Sequence, residues 1–339
     1  MTLIRLLPAL LAALLALPAR SGDFDQYEEL QAMIASLEKE GVYPPGELTA
    51  VFTSVNRLDK VLEAIARPAE KTREWKNYRP NFVNDERLRK GLDFWSKYRN
   101  ELDAAGKQFG VPPEIIVAII GVETKYGGNK GGFRVIDTLS SLAFDYPPRA
   151  PFFRKELRTF LTLAKEQKLD VLDTYGSYAG AMGFPQFMPS SWRNLAVDYS
   201  GDGRTDLIND PVDAIGSVGN YFLANGWKTG EPVAVRARIT SDTYDEACTT
   251  DLKTNFTLAE LGVKGLAPRE GSLPPETPAS GLRLQGENGA EFWVAFNNFF
   301  VITRYNRSHL YAMAVFQLAE ALRTAREAPP AQPLASTAS

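Results

Sequence analysis

An eight-residue run without a polar side chain constrains this fold more than any other feature of the sequence. Residues 115–122 read Ile-Ile-Val-Ala-Ile-Ile-Gly-Val, and Pro113 and Glu114 stand directly before them. Proline suits the first turn of a helix, and an acidic residue suits the positive end of the helix dipole. Because a helix that is apolar on every face has to be buried, the segment predicts a central core helix.

Glu123 ends this apolar run, just before Gly127 and Gly128 end the predicted helix. Desolvation and the negative end of the helix dipole both disfavour its charge, so the carboxyl group is expected to stay protonated unusually far up the pH scale. Such a group suits a general acid that protonates a glycosidic oxygen near neutral pH. A buried glutamate paired with a cation, for example Lys125 or Arg134, is an equally good interpretation of this segment.

Small residues dominate a second segment, residues 176–192, which we name the Gly-rich run. Small residues let the backbone approach a bulky ligand closely. Gln186, Phe187 and Met188 then supply an amide and two apolar surfaces, a reasonable lining for a sugar subsite. A tight structural turn is the alternative interpretation, and this segment alone names no ligand.

Acidic residues from Asp198 onward fit the start of an EF-hand calcium loop. Oxygen donors fall at alternate positions, Gly203 stands sixth for the sharp turn, and the next residue offers its backbone carbonyl. Position twelve holds Asn209 instead of glutamate, so a longer loop closed by Asp213 fits better. A solvated acidic turn is the competing interpretation. The predicted Ca²⁺ ligands are Asp198, Ser200, Asp202, Arg204, Asp206 and Asp213.

The scarcity of histidine and cysteine limits the chemistry of the chain. His309 and Cys248 are the single residues of their kind among 339, so an intramolecular disulfide is excluded and a Ser-His-Asp triad must include His309. His309 lies in a polar turn before a predicted helix, which favours a capping or surface role. A net charge of −3 gives no basic footprint for a nucleic-acid partner. If the protein is an enzyme, carboxylates are expected to transfer the protons.

The first 21 residues are typical of a signal peptide. Arg5 precedes an apolar run at 6–17, and residues 19–21 offer a small-x-small cleavage site. The apolar run is shorter than a membrane span needs, and no cysteine follows it that could carry a lipid. We expect export to the periplasm as a soluble protein without a stable membrane anchor. An uncleaved anchor is the alternative.

Hydrophobic spacing predicts a mostly α chain with a small β part, an α+β class. Residues 233–239 alternate as a strand does, residues 291–303 are β-branched and aromatic, and the Pro- and Gly-rich residues 264–281 predict a loop between them. The segments with helical spacing are 24–39, 46–66, 85–109, the run from 112, 152–166, 190–197, 211–225 and 310–325.

Three motifs closely resemble the lytic murein transglycosylase B family, and the resemblance covers about residues 78–311. They are Gly-Val-Glu123-Thr-Lys-Tyr-Gly, the stretch from Gly180 to Ser191, and Asp210-Pro-Val-Asp-Ala-Ile-Gly-Ser-Val218. The resemblance implies a lysozyme-like catalytic core, an α-helical domain and a small β insertion domain. The predicted segments are a signal peptide at 1–21, the first part of the α-helical domain at 22–95, the catalytic core with its calcium loop at 96–230, the β domain at 231–304, a C-terminal helix at 305–327 and a disordered tail at 328–339.

The resemblance also implies a reaction. Family members cut the MurNAc-β-1,4-GlcNAc bond without water, and the MurNAc 6-hydroxyl closes on its own anomeric carbon to leave a 1,6-anhydro end. Glu123 would be the acid and then the base. Peptidoglycan glycan strands are the implied partner, with proteins of cell-wall synthesis or remodelling as further candidates. The implied substrate contacts are Tyr78, Arg149, Ser177, Gln186, Phe187, Met188, Tyr221, Tyr305, Asn306 and Tyr311.

The chain departs from the family pattern at two points. The calcium loop is one residue longer before its closing aspartate, and Pro148-Arg149 stands where the family has paired arginines. A single catalytic carboxylate is physically sensible, since substrate-assisted glycosidases are recognised exceptions to the two-carboxylate rule. A lysozyme-type hydrolase and a non-catalytic peptidoglycan-binding or scaffold protein are the alternative functions.

Overall fold

The structure is a computed structural model that describes residues 22–67 and 73–328. The predicted signal peptide at 1–21 and all but the first residue of the predicted tail at 328–339 lie outside these residues. The described chain contains fourteen α-helices and seven β-strands, so the prediction of a mostly α fold with a small β part is confirmed. Within the described residues no single helix has the length and hydropathy to cross a membrane; two consecutive helices, 99–109 and 113–124, pass that test only jointly and meet at a bend of 113°.

The chain forms two compact units, which divide between Asn56 and Arg57. In the first unit, helix α1 (Glu28–Lys39) buries Leu30, Ile34 and Leu37, and helix α2 (Glu47–Phe52) follows. The helical pattern predicted without a break over 46–66 is interrupted after α2, because Thr53 and Ser54 form a turn and residues 55–58 are irregular. The domain boundaries predicted at residues 95, 230 and 304 stay predictions.

The second unit holds the remaining helices. One correction concerns residues 85–109: the predicted single helix is two helices that divide at Tyr98, whose backbone (φ −112°, ψ 34°) leaves the helical region. The helices are α3 (Asp59–Ala66), α4 (Trp75–Tyr78), α5 (Asp85–Lys97), α6 (Arg99–Phe109), α7 (Pro113–Thr124), α8 (Val135–Asp145), α9 (Ala150–Gln167), α10 (Pro189–Leu195), α11 (Pro211–Ala224), α12 (Leu258–Val263), α13 (Asn297–Tyr305) and α14 (His309–Glu327).

Helix α7 is the buried centre of this unit, as its all-apolar sequence predicts. Every residue from 115 to 122 is buried, and α5, α6, α11 and α14 all pack against the helix. Lys125 and Tyr126, with φ of 52° and 62°, turn the chain into the left-handed region and end the helix. The chain after α7 packs closely against the Gly-rich run at Gly127, where a side chain would collide with the ring of Phe184.

The strands form two antiparallel sheets. Strands β1 (Phe133–Arg134) and β2 (Tyr175–Gly176) pair with each other. The larger sheet has the order β4-β6-β7-β3-β5, and its apolar core includes Leu266, Val294 and Phe296. Its strands are β3 (Ala234–Ile239), β4 (Phe256–Thr257), β5 (Leu266–Pro268), β6 (Pro278–Gly286) and β7 (Gly289–Phe296).

Two predictions in this region are wrong in part. The predicted loop at 264–281 contains β5 and the start of β6. The strand predicted over 291–303 ends at Phe296, and residues 297–305 are helix α13. The Asn298 side chain explains the change, because it is fully buried and donates hydrogen bonds to the carbonyl oxygens of Lys228 and Glu231. These tertiary bonds override the strand propensity of the β-branched residues that follow.

Candidate active site

Glu123 lies in the last turn of α7, with its side chain half-buried. The hydroxyl of Tyr311 donates a hydrogen bond of 2.5 Å to Glu123 Oε1. Tyr311 is in the first turn of α14, where the Ser308 side chain accepts from its backbone N–H. Tyr311, which is 188 residues away in sequence, thus fixes one carboxyl oxygen of Glu123.

Three tyrosines, Tyr221, Tyr305 and Tyr311, surround this contact, and we call them the tyrosine cluster. The rings of Tyr305 and Tyr311 stack with centroids 6.4 Å apart, and those of Tyr221 and Tyr305 are 4.6 Å apart. Phe187 of the Gly-rich run packs against Tyr221 and Tyr305. The sequence predicts these four aromatic residues and Glu123 separately as site residues, and the structure brings them together.

The tyrosine cluster is neutral at physiological pH. Burial, opposed by the Arg304 cation and assisted by the charge of Glu123, raises the pKa of Tyr221 to about 12. Burial and the charge of Glu123 also raise the pKa values of Tyr305 and Tyr311 well above their ordinary range. The Tyr221 hydroxyl donates to Arg304 O (2.8 Å), and the Tyr305 hydroxyl donates to Pro185 O (2.6 Å). The three hydroxyl groups therefore donate within the protein, and the cluster offers ring surfaces and no base.

Tyr78 is a predicted substrate contact on another helix. It is the last residue of α4 and is buried, with its ring 5.0 Å from that of Phe82 and 6.4 Å from that of Trp75. The charge of Tyr78 contributes to the raised pKa of Tyr311. A phenol face is a suitable surface for a sugar ring, and Tyr78 stays a predicted substrate contact.

The Gly-rich run is attached to the end of α7 by one buried side chain. Thr124 Oγ1 lies 3.1 Å from Phe184 O and 3.0 Å from Gly127 N, and it also bonds to Ile120 O. In the run, Met182 and Phe187 exchange two backbone hydrogen bonds. Thr124, which the prediction did not single out, therefore fixes the distance between Glu123 and the run.

The predicted substrate contacts in the Gly-rich run have partners within the protein. Ser177 Oγ accepts from the N–H groups of Ala179 and Ala181. Gln186 adopts a left-handed backbone (φ 51°), and its amide donates to Lys130 O (3.1 Å) and Gly183 O (3.0 Å). These two side chains stabilise the loop.

Three predicted substrate residues have no described contact with Glu123 or the tyrosine cluster. Arg149 is exposed at the end of the 3₁₀ turn Pro147–Arg149, and its guanidinium lies 4.4 Å from the ring centroid of Phe152. Asn306 is exposed just after α13, and Met188 is half-buried just before α10. The structure alone assigns none of them to the site.

Arg87 is a residue that the prediction missed. It lies on α5, is only 6% exposed, and donates from its guanidinium to the carbonyl oxygens of Gly121 and Val122 in the last turn of α7. Burial lowers its pKa, and the charges of Tyr126, Glu86 and Glu123 oppose that shift. A sequence signal existed, because Arg87 shares the buried face of its helix with Gly91, Phe94 and Trp95.

The predicted calcium loop is organised by its own backbone. Asp198 accepts from the N–H groups of residues 201–203, and Asp213, which is fully buried, accepts from those of Tyr199, Ser200 and Asp206. Arg204, whose carbonyl was the predicted ligand, forms an ion pair with Asp206 (3.0 Å). Oxygen donors of this kind suit Ca²⁺. Within residues 22–67 and 73–328, however, no three His, Cys, Asp or Glu side chains converge on one point.

The fold class is that of the lysozyme-like lytic transglycosylases. The family model described as "Transglycosylase SLT domain" matches residues 25–320. The membrane-bound lytic murein transglycosylase B of Escherichia coli K12 is 41% identical over 314 residues, which span 90% of this chain and 85% of that protein. This chain therefore belongs to the transglycosylase SLT domain family, and the predicted family and enzyme class are confirmed.

Solved structures agree with this membership. The soluble lytic transglycosylase SltB1 of Pseudomonas aeruginosa is 49% identical, with a TM-score of 0.84 over 88% of this chain and 100% of that one. The Escherichia coli lytic transglycosylase Slt35 in complex with calcium is 41% identical, with a TM-score of 0.83 over 91% of this chain and 96% of that one.

Proposed function

We propose that this chain cleaves MurNAc-β-1,4-GlcNAc bonds in peptidoglycan glycan strands without water and leaves 1,6-anhydroMurNAc ends. The observation that carries the proposal is the Tyr311–Glu123 hydrogen bond, because it places one oriented carboxyl group at the end of the buried helix and beside phenol rings. Family membership supports the reaction class.

In the proposed reaction Glu123 transfers one proton in each direction. It first gives its proton to the glycosidic oxygen while the bond from the anomeric carbon to that oxygen breaks. The substrate N-acetyl group stabilises the cationic anomeric carbon. The MurNAc 6-hydroxyl oxygen then bonds to that carbon, and its proton passes to Glu123, which regains its starting state. Because Oε1 accepts from Tyr311, the proton that Glu123 exchanges belongs on its other carboxyl oxygen.

The proposed reaction uses one carboxylate of the protein where ordinary glycosidases use two. Ordinary glycosidases use a pair of carboxyl groups on either side of the scissile bond. In the described part of the chain, Glu123 is the carboxylate whose charge acts on all three members of the tyrosine cluster. We infer that the second role falls to the substrate itself. The proposed substrate contacts are Tyr78, Arg149, Ser177, Gln186, Phe187, Met188, Tyr221, Tyr305, Asn306 and Tyr311.

Mass spectrometry of the products released from purified peptidoglycan sacculi tests this function. Wild type should release muropeptides with 1,6-anhydroMurNAc ends, one water lighter than reducing ends, and Glu123→Gln should release none. Glu114→Gln is the matched control, because it makes the same chemical change about 14 Å away along the same helix and should keep wild-type activity. Reducing ends would instead indicate a hydrolase, and no release by wild type would indicate a binding protein.

We also propose that the loop from Asp198 to Asp213 binds Ca²⁺ in a structural role, through Asp198, Ser200, Asp202, Asp206, Asp213 and the Arg204 carbonyl. The oxygen-only donor set and the calcium complex of the Slt35 relative support this proposal. The carboxylates would have to exchange some backbone hydrogen bonds for the ion.

Thermal unfolding checks the calcium proposal. The Tm should rise with the logarithm of the Ca²⁺ concentration above Kd, because the free energy of unfolding gains about 2.7 kcal/mol at a hundredfold excess over Kd. Mg²⁺ should raise the Tm less. Asp202→Asn should weaken the effect, whereas Asp242→Asn, an exposed aspartate in another loop, should leave it intact. A Tm that does not respond to Ca²⁺ would contradict the proposal.

For localisation we propose export to the periplasm through residues 1–21, as a soluble enzyme without a stable anchor. The n-region, apolar run and cleavage site support this proposal. Proteins of cell-wall synthesis or remodelling are proposed partners, and nucleic acid is not. Cell fractionation combined with the N-terminal mass of the mature protein tests the localisation, and recovery of full-length protein in the membrane fraction would contradict it.

A further inference from the structure

Arg87 is buried, and the hydrogen bonds of its guanidinium go to backbone carbonyls. Nη1 donates to Gly121 O and, at 3.3 Å, to Val122 O, while Nη2 donates to Asn81 O at 3.1 Å. Gly121 and Val122 directly precede Glu123 in α7. A buried cation is costly to desolvate when no carboxylate pairs with it. The placement therefore requires an explanation beyond packing.

The charge distribution at the end of α7 explains why Arg87 is buried there. The carbonyls at the end of a helix carry a partial negative charge, which opposes ionisation of a nearby carboxyl group. Of the two that Arg87 binds, Gly121 O also accepts from the backbone N–H of Lys125. Arg87 binds two of these carbonyls and so cancels part of that charge. The direct interaction is also present, because the charge of Glu123 acts to raise the pKa of Arg87 against the larger lowering caused by burial.

Arg87 is a charged group that interacts with Glu123, and the described neighbours of both residues are as follows. Glu123 is next to Tyr311 from α14, Tyr305 from α13 and Tyr221 from α11, and all three are neutral. Arg87 itself interacts with Tyr126, Glu86 and Glu123. Glu86 is exposed and forms an ion pair with Lys90 (2.7 Å), so its charge is largely compensated.

We propose that Arg87 is a positioning residue for Glu123: it fixes the last turn of α7 and uses its charge to favour the ionised carboxylate that accepts the 6-hydroxyl proton. The helix end and the partial burial of Glu123 favour the protonated acid of the first step, and Arg87 balances them. This inference rests on the proposed role of Glu123 as acid and base.

The pH dependence of kcat/KM for release of 1,6-anhydro products tests the proposal. The free enzyme must start with Glu123 protonated, so activity should fall as pH rises, along a basic limb. Arg87→Met removes the charge and keeps the length, so the proton is held more tightly and the limb should move up by about one pH unit. Arg87→Lys keeps the charge but loses the planar fork, so its limb should stay in place while kcat falls several-fold.

Arg89→Met is the matched control, since Arg89 is an exposed residue of the same helix that pairs with Asp93. It should retain the wild-type limb and rate. An unmoved limb in folded Arg87→Met, or equal shifts in the Met and Lys variants, would overturn the proposal. Failure of both variants to fold would make Arg87 purely structural and would overturn it as well.

The same experiment separates this inference from the proposed function. Retention of 1,6-anhydro release by Glu123→Gln would remove Glu123 from the reaction whatever Arg87 does. If Glu123→Gln releases no product but the basic limb of the kcat/KM profile does not move when the charge at position 87 is removed, the proposed function stands and the inference about Arg87 is refuted.

Discussion

Replacing Tyr311 with phenylalanine removes one oxygen atom and the hydrogen bond to Glu123 Oε1. The change is local, because Tyr311 is only 2% exposed and its ring still stacks against Tyr305. Phenylalanine fills the same space apart from the hydroxyl group. The variant therefore measures the contribution of one donor to the orientation of the carboxyl group.

The expected loss follows from the strength of that bond. A hydrogen bond to a charged group contributes about 1.5–3 kcal/mol net. If this energy orients Glu123 in the transition state, each 1.36 kcal/mol is a factor of ten, and kcat should fall roughly 10- to 150-fold. KM should change less than about threefold, because the lost contact is to the enzyme's own acid.

Steady-state release of 1,6-anhydro muropeptides is the assay, with Tyr126→Phe as the matched control. The Tyr126 hydroxyl is buried against the backbone of Gly91 and Gly121 without a hydrogen-bond partner among the described contacts. Its removal should leave kcat within about threefold and stability equal or higher, since an unpaired buried hydroxyl is unfavourable. A folded Tyr311→Phe variant that keeps more than a third of wild-type kcat would refute the reasoning.

Three further predictions concern stability. Thr124→Val removes the hydrogen-bond partner of Phe184 O and Gly127 N and should lower the free energy of unfolding in urea by roughly 2–4 kcal/mol. The control Thr162→Val, at a half-buried position, should lower it by under about 0.5 kcal/mol. Equal losses in the two variants would contradict the prediction. Burial lowers the pKa of His309 below its ordinary 6.5, so stability should fall as pH drops below that value; NMR of this single imidazole should give a lower midpoint, and one at or above 6.5 would contradict this. Burial raises the pKa of Glu114, so its stabilisation is lost as pH rises, and Glu114→Gln should gain stability relative to wild type from pH 4 to pH 7.5; a constant difference would contradict this.

The sequence is a good guide where one strong local pattern decides the structure. The all-apolar residues 115–122 predict a buried element, Pro113 and Glu114 before them favour a helix, and the structure has Glu123 in the last turn of that helix. The pattern fails where tertiary contacts decide. Hydrophobic spacing continues across Tyr98, so the break between α5 and α6 leaves no periodic signal. Residues 297–303 have strand propensity but form a helix, because Asn298 is held by the chain near Glu231.

In the candidate site, too, local patterns could be predicted from the sequence and tertiary contacts could not. Aromatic residues and a buried acid could be named individually, but the Tyr311–Glu123 contact joins residues 188 positions apart and has no local signature. Arg87 was missed because a single cation on an amphipathic helix normally reads as surface. The EF-hand spacing is visible in sequence, yet it cannot show that Asp198 and Asp213 bond to the loop backbone.

The supports of Glu123 suit a group that changes charge twice in each turnover. Tyr311 donates to Oε1, and that oxygen can accept whether or not the other carboxyl oxygen carries a proton. Arg87 binds carbonyls of the helix, and Thr124 bonds the helix end to the Gly-rich run, so neither depends on the charge of Glu123 for its hydrogen bonds. Proton loss and return can therefore proceed without rearrangement of the surrounding dipoles, and a preorganised site of this kind avoids the reorganisation that would slow the reaction in water.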